Sequence, residues 1–467
     1  MATDNKVTFW GAARTVTGSM HLVQVNAQEF LLDCGLYQGH RGEAFQRNRQ
    51  FPFAPKDIHA VVLSHAHIDH CGNLPNLVRQ GFSGPIYCTP ATRDLMAIML
   101  ADSAKIQEED ADYLNHKRKQ GEPVIEPLYR PENVPPTVRL AQTVEYGREQ
   151  EIADGVRFRY LDAGHLLGSA MVAMNIQNNG RQQTLTFTGD LGRKNLPILR
   201  DPEAVPAADF LISESTYGGR THPPPEQLAD LLGDVVRRTS DRGGMVLIPA
   251  FSVGRTQAVV YSLHTLMQAG KLPALPIFVD SPLASNATEV FRKHPECFDQ
   301  ETAALLGKDP DLFGQRRVHY VQSVEESKRL NSRTEPCIII AASGMCENGR
   351  IVHHLKNRVE DPRTTVVIAG FQAPHTLGRR LVEKQPKIRI FNQELNLRAE
   401  VVTMNGFSSH ADHHELMGAL LPLAKKAKQV CLVHGDLEPA EALAKDLHGH
   451  GFAQGAIPER GETINLP

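Results

Sequence analysis

The fold is decided by residues 60–70, AVVLSHAHIDH, in which a short apolar run is followed at once by four potential metal ligands. The apolar run predicts a buried strand. His65 and His67 lie two positions apart, so in an extended segment their side chains project to one side and can share a metal. Asp69 and His70 come after the turn and can face a second metal. Imidazole and carboxylate groups suit Zn²⁺, whereas the alternative, a polar turn that begins a helix, does not require four ligands.

Two downstream motifs supply the further ligands that a pair of metals would need. His165 lies in GHLLGS, residues 164–169, and Asp190 follows a strand-like segment in FTGDLG, residues 187–192. Each motif alone is also typical of an ordinary turn, so its meaning depends on the first motif. Together they predict one metal bound by His65, His67 and His165, a second bound by Asp69 and His70, and Asp190 as the bridge between them.

Asp33 is a candidate supporting residue for this site. It ends another strand-like segment, LLDCG at residues 31–35. A carboxylate there could orient a ligand histidine through a hydrogen bond, and an aspartate in a simple turn is the alternative.

Length and composition set the broad class. The chain has 467 residues, enough for two or three domains, and its formal net charge of -3 does not mark it as a simple polyanion binder. The seven cysteines are scattered without a CxxC pair, which indicates buried thiols in a reducing compartment rather than disulfides. We find no signal peptide and no run of about 18 apolar residues. We therefore expect a cytoplasmic protein without a membrane segment.

The distribution of helix and strand patterns divides the chain. The first 35 residues resemble a β-meander, and the proline-rich stretch 121–137 is expected to be a loop. After residue 208, strands alternate with helices such as Arg255 to Gln268, which predicts a parallel α/β sheet. After residue 395 the pattern of the first part of the chain returns, with a helix expected from Asp412 to Ala427. A further helix is expected from Gly72 to Gln80.

The order HxHxDH, GH and GD at strand ends resembles the metallo-β-lactamase superfamily, whose fold is an αβ/βα sandwich with a dinuclear site at one edge. Three later motifs, around Glu214, His410 and His434, resemble those of its β-CASP branch. That branch includes the nuclease subunit of the cleavage and polyadenylation factor and bacterial ribonuclease J. The resemblance implies an inserted β-CASP domain of parallel α/β type at 208–395, with 1–207 and 396–467 forming the lactamase-type domain and the active site between the two.

The resemblance also implies a function. RNA-cutting members carry a histidine at the position of His434, so we expect hydrolysis of single-stranded RNA by a hydroxide that two zinc ions activate, with endonucleolytic cleavage. His410 is the expected general acid, held by Glu214. The chain shows no extension after its last motif helix, so we expect no further C-terminal domain of the ribonuclease J kind. The implied metal ligands are His65, His67, Asp69, His70, His165, Asp190 and His434, and the implied catalytic residues are His410, Glu214, Asp69 and Asp33.

Three loops after strands of the inserted domain are candidate phosphate-binding segments. Each combines small residues with a nearby arginine or histidine, and backbone N–H groups at a helix start can face an anion. Each loop alone is also typical of a plain α/β turn. The candidate substrate-binding residues are Ser252, Arg255, Ser343, Gly344, His375, Thr376, Gly378 and Arg379.

Other functions remain open from the sequence. A hydrolase of a small ester or thioester would explain the metal ligands but not the set of Glu214, His410 and His434. A redox enzyme with two irons would usually carry a carboxylate within the first motif and a flavin domain. A partner-dependent subunit of an RNA-processing complex would fit the ordinary net charge. The resemblance is compatible with a homodimer, although no self-evident interface is found.

Overall fold

The computed structural model describes residues 5–119, 121–178, 180–307, 312–314, 317–373, 375–452 and 455–467. The chain forms two compact units. The first unit comprises Met1–Lys194, Asp201–Thr221 and His410–Pro467, and the second comprises Asn195–Arg200 and His222–Ser409. The division into domains at residues 207 and 395 remains a prediction from the sequence.

The strands alternate with helices along much of the chain. The strands are β1 (Lys6–Phe9), β2 (His21–Val25), β3 (Gln28–Leu32), β4 (Ile58–Val62), β5 (Ile86–Cys88), β6 (Ala141–Thr143), β7 (Glu149–Ala153), β8 (Val156–Asp162), β9 (Ala170–Asn178), β10 (Arg181–Phe187), β11 (Phe210–Glu214), β12 (Val246–Pro249), β13 (Ile277–Asp280), β14 (Val318–Tyr320), β15 (Ile338–Ala341), β16 (Thr365–Ile368), β17 (Lys387–Ile390), β18 (Gln393–Asn396), β19 (Glu400–Thr403), β20 (Gln429–Val433) and β21 (Thr463–Asn465).

The helices differ widely in length, from one turn to 28 residues in α4. They are α1 (Arg41–Arg49), α2 (Ile68–Cys71), α3 (Leu74–Arg79), α4 (Pro90–Lys117), α5 (Val134–Arg139), α6 (Leu228–Asp241), α7 (Arg255–Gln268), α8 (Pro282–Lys293), α9 (Gln300–Leu306), α10 (Val324–Asn331), α11 (Arg350–Arg358), α12 (Leu377–Val382), α13 (His413–Leu420) and α14 (Leu437–Gly449). In the described part of the chain, none is both long and apolar enough to cross a membrane.

The first unit is a sandwich of two sheets. A seven-stranded sheet has the order β21-β1-β2-β3-β4-β5-β6, and a six-stranded sheet has the order β20-β11-β10-β9-β8-β7. One core joins them, with Phe30 and Val62 from the first sheet and Phe158 and Phe187 from the second. Helices α13 and α14 bury their leucines against the other side of the second sheet. This arrangement confirms the predicted αβ/βα sandwich.

The order of strands in the sandwich places the candidate ligands at strand ends. β3 and β4 are parallel neighbours, as are β10, β11 and β20. Parallel neighbours end at the same edge of a sheet, where irregular backbone can carry functional side chains. Asp33, Asp190 and His434 follow β3, β10 and β20, and Glu214 is the last residue of β11.

The second unit is built on a parallel sheet with the order β14-β13-β15-β12-β16-β19. Its strands are buried apolar runs such as Ile338–Ala341, as expected when helices cover both faces of a sheet. Separate apolar cores lie on the two faces. The predicted parallel α/β class is confirmed.

Three predicted elements differ in extent from the structure. The stretch 121–137, expected to be a loop, contains the start of α5, whose prolines occupy the first helical turn, where no N–H partner is needed. Helix α13 ends at Leu420 rather than Ala427, and Pro422 lies in the short 3₁₀ turn that follows. The helix expected from residue 72 begins at Leu74.

A buried network of charged and polar side chains joins a strand of the second unit to two of its helices. Asp280, at the end of β13, accepts hydrogen bonds from Ser327 Oγ at 2.6 Å, Arg350 Nη1 at 2.7 Å and His354 Nε2 at 2.6 Å. Burial raises the pKa of Asp280, but the hydrogen bonds from His354, Ser327 and Arg350 outweigh burial and lower it below 3.8. The carboxylate therefore ties β13 to α10 and α11.

Substitution Asp280→Asn should destabilise the protein by about 3 kcal/mol at pH 7, because it leaves buried donors without their carboxylate. The pKa of Asp280 is depressed in the folded protein, so its contribution is complete above the ordinary carboxyl pKa and is lost as pH falls through the folded value. Denaturant unfolding at pH 7 and below pH 4 measures both effects. The control is Asp230→Asn, since Asp230 forms an exposed pair with Lys271 that should contribute less than about 1 kcal/mol. Equal losses in the two variants would contradict a role for the Asp280 network.

Candidate metal centre

The first motif forms a tight turn directly after β4. His65 and His67 lie in the extended segment that precedes α2, and Asp69 and His70 lie within that single helical turn. His65 and His70 are almost completely buried. The turn therefore separates the four side chains into two pairs.

One group of donor atoms gathers around His67. His67 Nδ1 lies 3.0 Å from His65 Nε2 and 3.3 Å from His165 Nε2. Asp190 Oδ2 lies 3.5 Å from both His65 Nε2 and His165 Nε2. These four side chains satisfy the geometry of a metal-binding group.

A second group gathers around His434. His434 Nε2 lies 3.1 Å from His70 Nε2 and 3.5 Å from Asp69 Oδ2. Asp190 adjoins this group as well, with Oδ2 at 3.4 Å from His70 Nε2 and Oδ1 at 3.5 Å from His434 Nδ1. The structure thus brings all seven predicted ligands together, with Asp190 next to both groups.

The donor atoms fit a metal better than they fit one another. Ligands about 2.0–2.1 Å from a tetrahedral Zn²⁺ lie about 3.3 Å apart, close to the separations in both groups. Among the described residues, Asp190 Oδ1 has no hydrogen-bond partner, although the atom is buried. Burial and neighbouring histidines lower the pKa of His65 and His165 far below 6.5. Burial lowers that of His67 to about 4, so these imidazoles are neutral donors.

Asp33 orients the ring of His70 through a hydrogen bond. Its Oδ2 lies 2.7 Å from His70 Nδ1 and also accepts from Ser19 Oγ and Ser64 Oγ. Placing the proton of His70 on Nδ1 leaves Nε2 to face the second group. Asp33 and His434 both have left-handed backbone conformations, with φ of 62° and 48°. Such strain in residues other than glycine concentrates at functional sites.

His410 and Glu214 form a pair beside the ligands, and His410 also belongs to a third group of possible metal donors with Asp190 and His434. His410 Nδ1 lies 3.2 and 3.3 Å from the two carboxylate oxygens of Glu214 and 3.9 Å from Asp190 Oδ2. Glu214 is fully buried and accepts from the backbone N–H of Leu191 at 2.6 Å. Burial opposes protonation of His410, but Glu214 and Asp190 outweigh it and raise its pKa to about 9. The imidazole can therefore hold a proton next to the metal ligands.

Sequence reasoning missed several supporting residues. Thr216 Oγ1 lies 3.1 Å from His434 Nδ1 and donates to the His434 carbonyl, which fixes the ring. Ser19 and Ser64 hold Asp33. His21 is buried between Phe9 and Phe187, and neither ring nitrogen has a partner among the described residues. Ser64 and Thr216 do flank predicted site residues in sequence, whereas no local signal identifies Ser19 or His21.

The candidate phosphate-binding residues lie on loops of the second unit. Arg255 begins α7, and Ser252 Oγ lies 3.0 Å from Ser281 Oγ. Ser343 and Gly344 follow β15, and Ser343 Oγ is buried without a partner in the described part of the chain. The loop after β16 carries His375, which is exposed, Thr376, which caps α12, Gly378, which is buried in α12, and Arg379, which pairs with Glu383 at 2.7 Å.

Comparison with known families assigns three consecutive parts of the chain. Residues 13–237 match the metallo-β-lactamase superfamily, residues 256–381 match the β-CASP domain, and residues 394–461 match the Zn-dependent metallo-hydrolase RNA specificity domain. The protein belongs to the metallo-β-lactamase superfamily and, within it, to the β-CASP branch, as the sequence motifs indicated. This family binds divalent metal, and the cluster of histidines and aspartates fits that property.

Individual relatives are similar in sequence to this protein over nearly its whole length. The protein is 38% identical over 438 residues to Ribonuclease TTHA0252 of Thermus thermophilus, covering 93% of this chain and 94% of that one. It is 32% identical over 478 residues to Transcription termination factor FttA of Pyrococcus abyssi, covering 99% of this chain and 71% of that one. A crystal structure of a protein of unknown function from Enterococcus faecalis V583 has a TM-score of 0.56 at 14% identity, covering 99% of this chain and 100% of that one, and it shows the common fold alone.

Substitution Asp33→Asn should weaken binding of a divalent metal, measured with zinc, about 10- to 100-fold, because an amide fixes the Nδ1 proton of His70 less firmly than a carboxylate. Competition with a chelator measures the affinity, and thermal unfolding of the metal-free protein checks that the variant folds. The control is Asp154→Asn, at an exposed turn of the same unit. Unchanged zinc affinity in a folded Asp33→Asn protein would show that Asp33 does not support the metal ligands.

Proposed function

We propose that the protein is a two-zinc ribonuclease that hydrolyses phosphodiester bonds within single-stranded RNA. The observation that carries the proposal is the pairing of His410 with Glu214 beside the donor groups around His67 and His434. A site that only binds metal would not need a proton-carrying imidazole oriented by a buried carboxylate. A hydrolase must protonate the oxygen that leaves phosphorus, and this pair supplies the group for that step.

The proposed ligand assignment follows the two donor groups. His65, His67 and His165 would hold one ion, Asp69, His70 and His434 the other, and Asp190 would be shared. When bound, the metals supply Lewis acidity, which lowers the pKa of water toward about 7 and offsets charge on the phosphate. Zinc rather than manganese follows from the excess of imidazole among the donors.

His410 is the proposed proton donor and Glu214 its positioning residue. Glu214 is itself held by the backbone N–H of Leu191, and the backbone N–H of Ala411 donates to the Leu191 carbonyl at 2.8 Å. The loop after β10, which carries Asp190, therefore also fixes the segment that carries His410. A change in the loop would move the proton donor and the shared ligand together.

RNA as substrate is supported by the family rather than by the metal cluster. The match to an RNA specificity domain and the relative named as a ribonuclease both favour RNA. We propose that Ser252, Arg255, Ser343 and Gly344 contact phosphates, with His375, Thr376, Gly378 and Arg379 as a further segment. Cytoplasmic action is proposed because all seven cysteines are buried, which suits a reducing compartment. A homodimer stays a hypothesis.

Substitutions His410→Ala and Glu214→Gln should lower kcat for cleavage of single-stranded RNA by about 10²- to 10⁴-fold, because the first removes the proton donor and the second removes the carboxylate that orients it. Zinc content should remain that of the unaltered protein. The substrate is an end-labelled RNA beside a DNA of the same sequence, and internal cleavage should give products of intermediate length. His414→Ala is the matched control, since His414 is exposed on the next helix.

Two results would contradict the proposal. If His410→Ala cuts RNA at the normal rate, another group donates the proton. If the zinc-loaded protein cuts no RNA but hydrolyses a small ester or thioester, the substrate class is wrong although the metal centre stands. Cleavage that begins only when other proteins are added would instead indicate a subunit that depends on partners.

A further inference from the structure

Two aromatic side chains are exposed at the carboxyl edge of the parallel sheet in the second unit. Phe251 follows β12 and Phe371 follows β16, and these two strands are parallel neighbours. The exposed fractions are 42% for Phe251 and 39% for Phe371. Because parallel neighbours end at the same edge, the two rings lie on the edge that also carries the candidate phosphate-binding loops.

Arg255 and two glycines shape the surroundings of Phe251. The guanidinium carbon of Arg255 lies 5.0 Å from the centroid of the Phe251 ring. A Cβ at Gly344 would lie 3.1 Å from that ring, and a Cβ at Gly370 would lie 2.6 Å from Arg255 Nη1. The ring and the guanidinium thus pack directly on backbone where a larger residue would displace them. A cation beside an exposed ring suits a ligand that is both flat and anionic.

Gln372 fixes the loops that carry these groups. Its side chain is 4% exposed, and Nε2 donates to the carbonyls of Gly344 at 2.9 Å, Phe371 at 3.0 Å and Gly370 at 3.3 Å. One buried amide therefore joins the loop after β15 to the loop after β16. Loops held in this way lose little conformational freedom when a ligand binds.

We propose that Phe251 and Phe371, with Arg255, form a stacking platform for bases of single-stranded RNA. This inference rests on the proposed function. It adds contacts to the RNA bases, whereas the candidate loops would contact only phosphates. Stacking on aromatic rings is tolerant of sequence because every base has a flat face. The platform would therefore bind unpaired RNA in general and would exclude bases that remain paired.

The test combines ring variants with RNAs that each lack one base. Zinc-loaded full-length protein, unaltered or with Phe251→Leu, Phe371→Leu or Phe251→Tyr, is assayed on a series of labelled RNAs in which one nucleotide at a time is abasic. Cleavage gives kcat and KM, and fluorescence anisotropy gives the affinity independently. Phe391→Leu is the matched control, since Phe391 is 51% exposed in the same unit but lies in the turn between β17 and β18.

Phe251→Leu should raise KM and Kd about 5- to 100-fold on intact RNA, with kcat changed less than about twofold. One abasic position should weaken binding to the unaltered protein but not to the Phe251→Leu variant. Phe251→Tyr should restore the sensitivity at that position, and Phe391→Leu should behave like the unaltered protein.

An equal response of the unaltered and Phe251→Leu proteins at every abasic position would overturn the platform, even if RNA is cut normally. If the unaltered protein cuts no RNA, the proposed function fails. The anisotropy series still decides in that case whether the rings stack on bases. If the protein binds none of the RNAs, intact or abasic, both the platform and the proposed function are overturned.

Discussion

The charge of Asp190 is the constraint on which the site depends. An ionised carboxylate removed from water costs several kcal/mol unless opposite charge and hydrogen bonds compensate it. Asp190 is 2% exposed, and its Oδ1 lacks a hydrogen-bond partner among the described residues. Its oxygens instead lie within 3.4–3.9 Å of nitrogens of His65, His70, His165, His410 and His434. Most of these imidazoles can supply a lone pair, and a bound cation would compensate the charge of the carboxylate.

The backbone reaches this arrangement only because two pairs of loops approach each other very closely. A Cβ at Gly35 would lie 1.6 Å from the carbonyl oxygen of Asp69, and a Cβ at Gly192 would lie 2.0 Å from that of Gly164. Any side chain at either position would force apart loops that carry ligands. Asp33 and His434 add left-handed backbone to the same edge. The stability of the sandwich core holds these strained segments in place.

Much of this site could be predicted from the sequence, because most of its ligands follow strands. Those strands are recognisable as alternating apolar and polar residues or as buried apolar runs. The six histidine and aspartate ligands before the inserted segment follow one strong local motif and two weaker ones. His434, Glu214 and His410 came only from family resemblance, since a lone histidine after a strand has no distinctive local pattern. Ser19 was missed because its role depends on a hydrogen bond to Asp33, which is 14 positions away in the sequence. The end of α13 was misplaced because local periodicity continued past Pro422.

The two units carry different chemistry. The first holds the aspartates and histidines of the candidate metal centre, and the second holds loops with arginine, serine, glycine and exposed aromatic rings. The family match to β-CASP falls on the second unit, whereas the metal donors lie entirely within the first. Other members of the superfamily can therefore keep the metal centre and act on different substrates.

Anomalous diffraction at the zinc absorption edge, on crystals of zinc-loaded protein, tests the metal centre most directly. We expect two peaks per chain, one among His65, His67 and His165 and the other among Asp69, His70 and His434, with Asp190 adjoining both. A single peak, or zinc bound away from Asp190, would contradict a dinuclear centre built on this carboxylate.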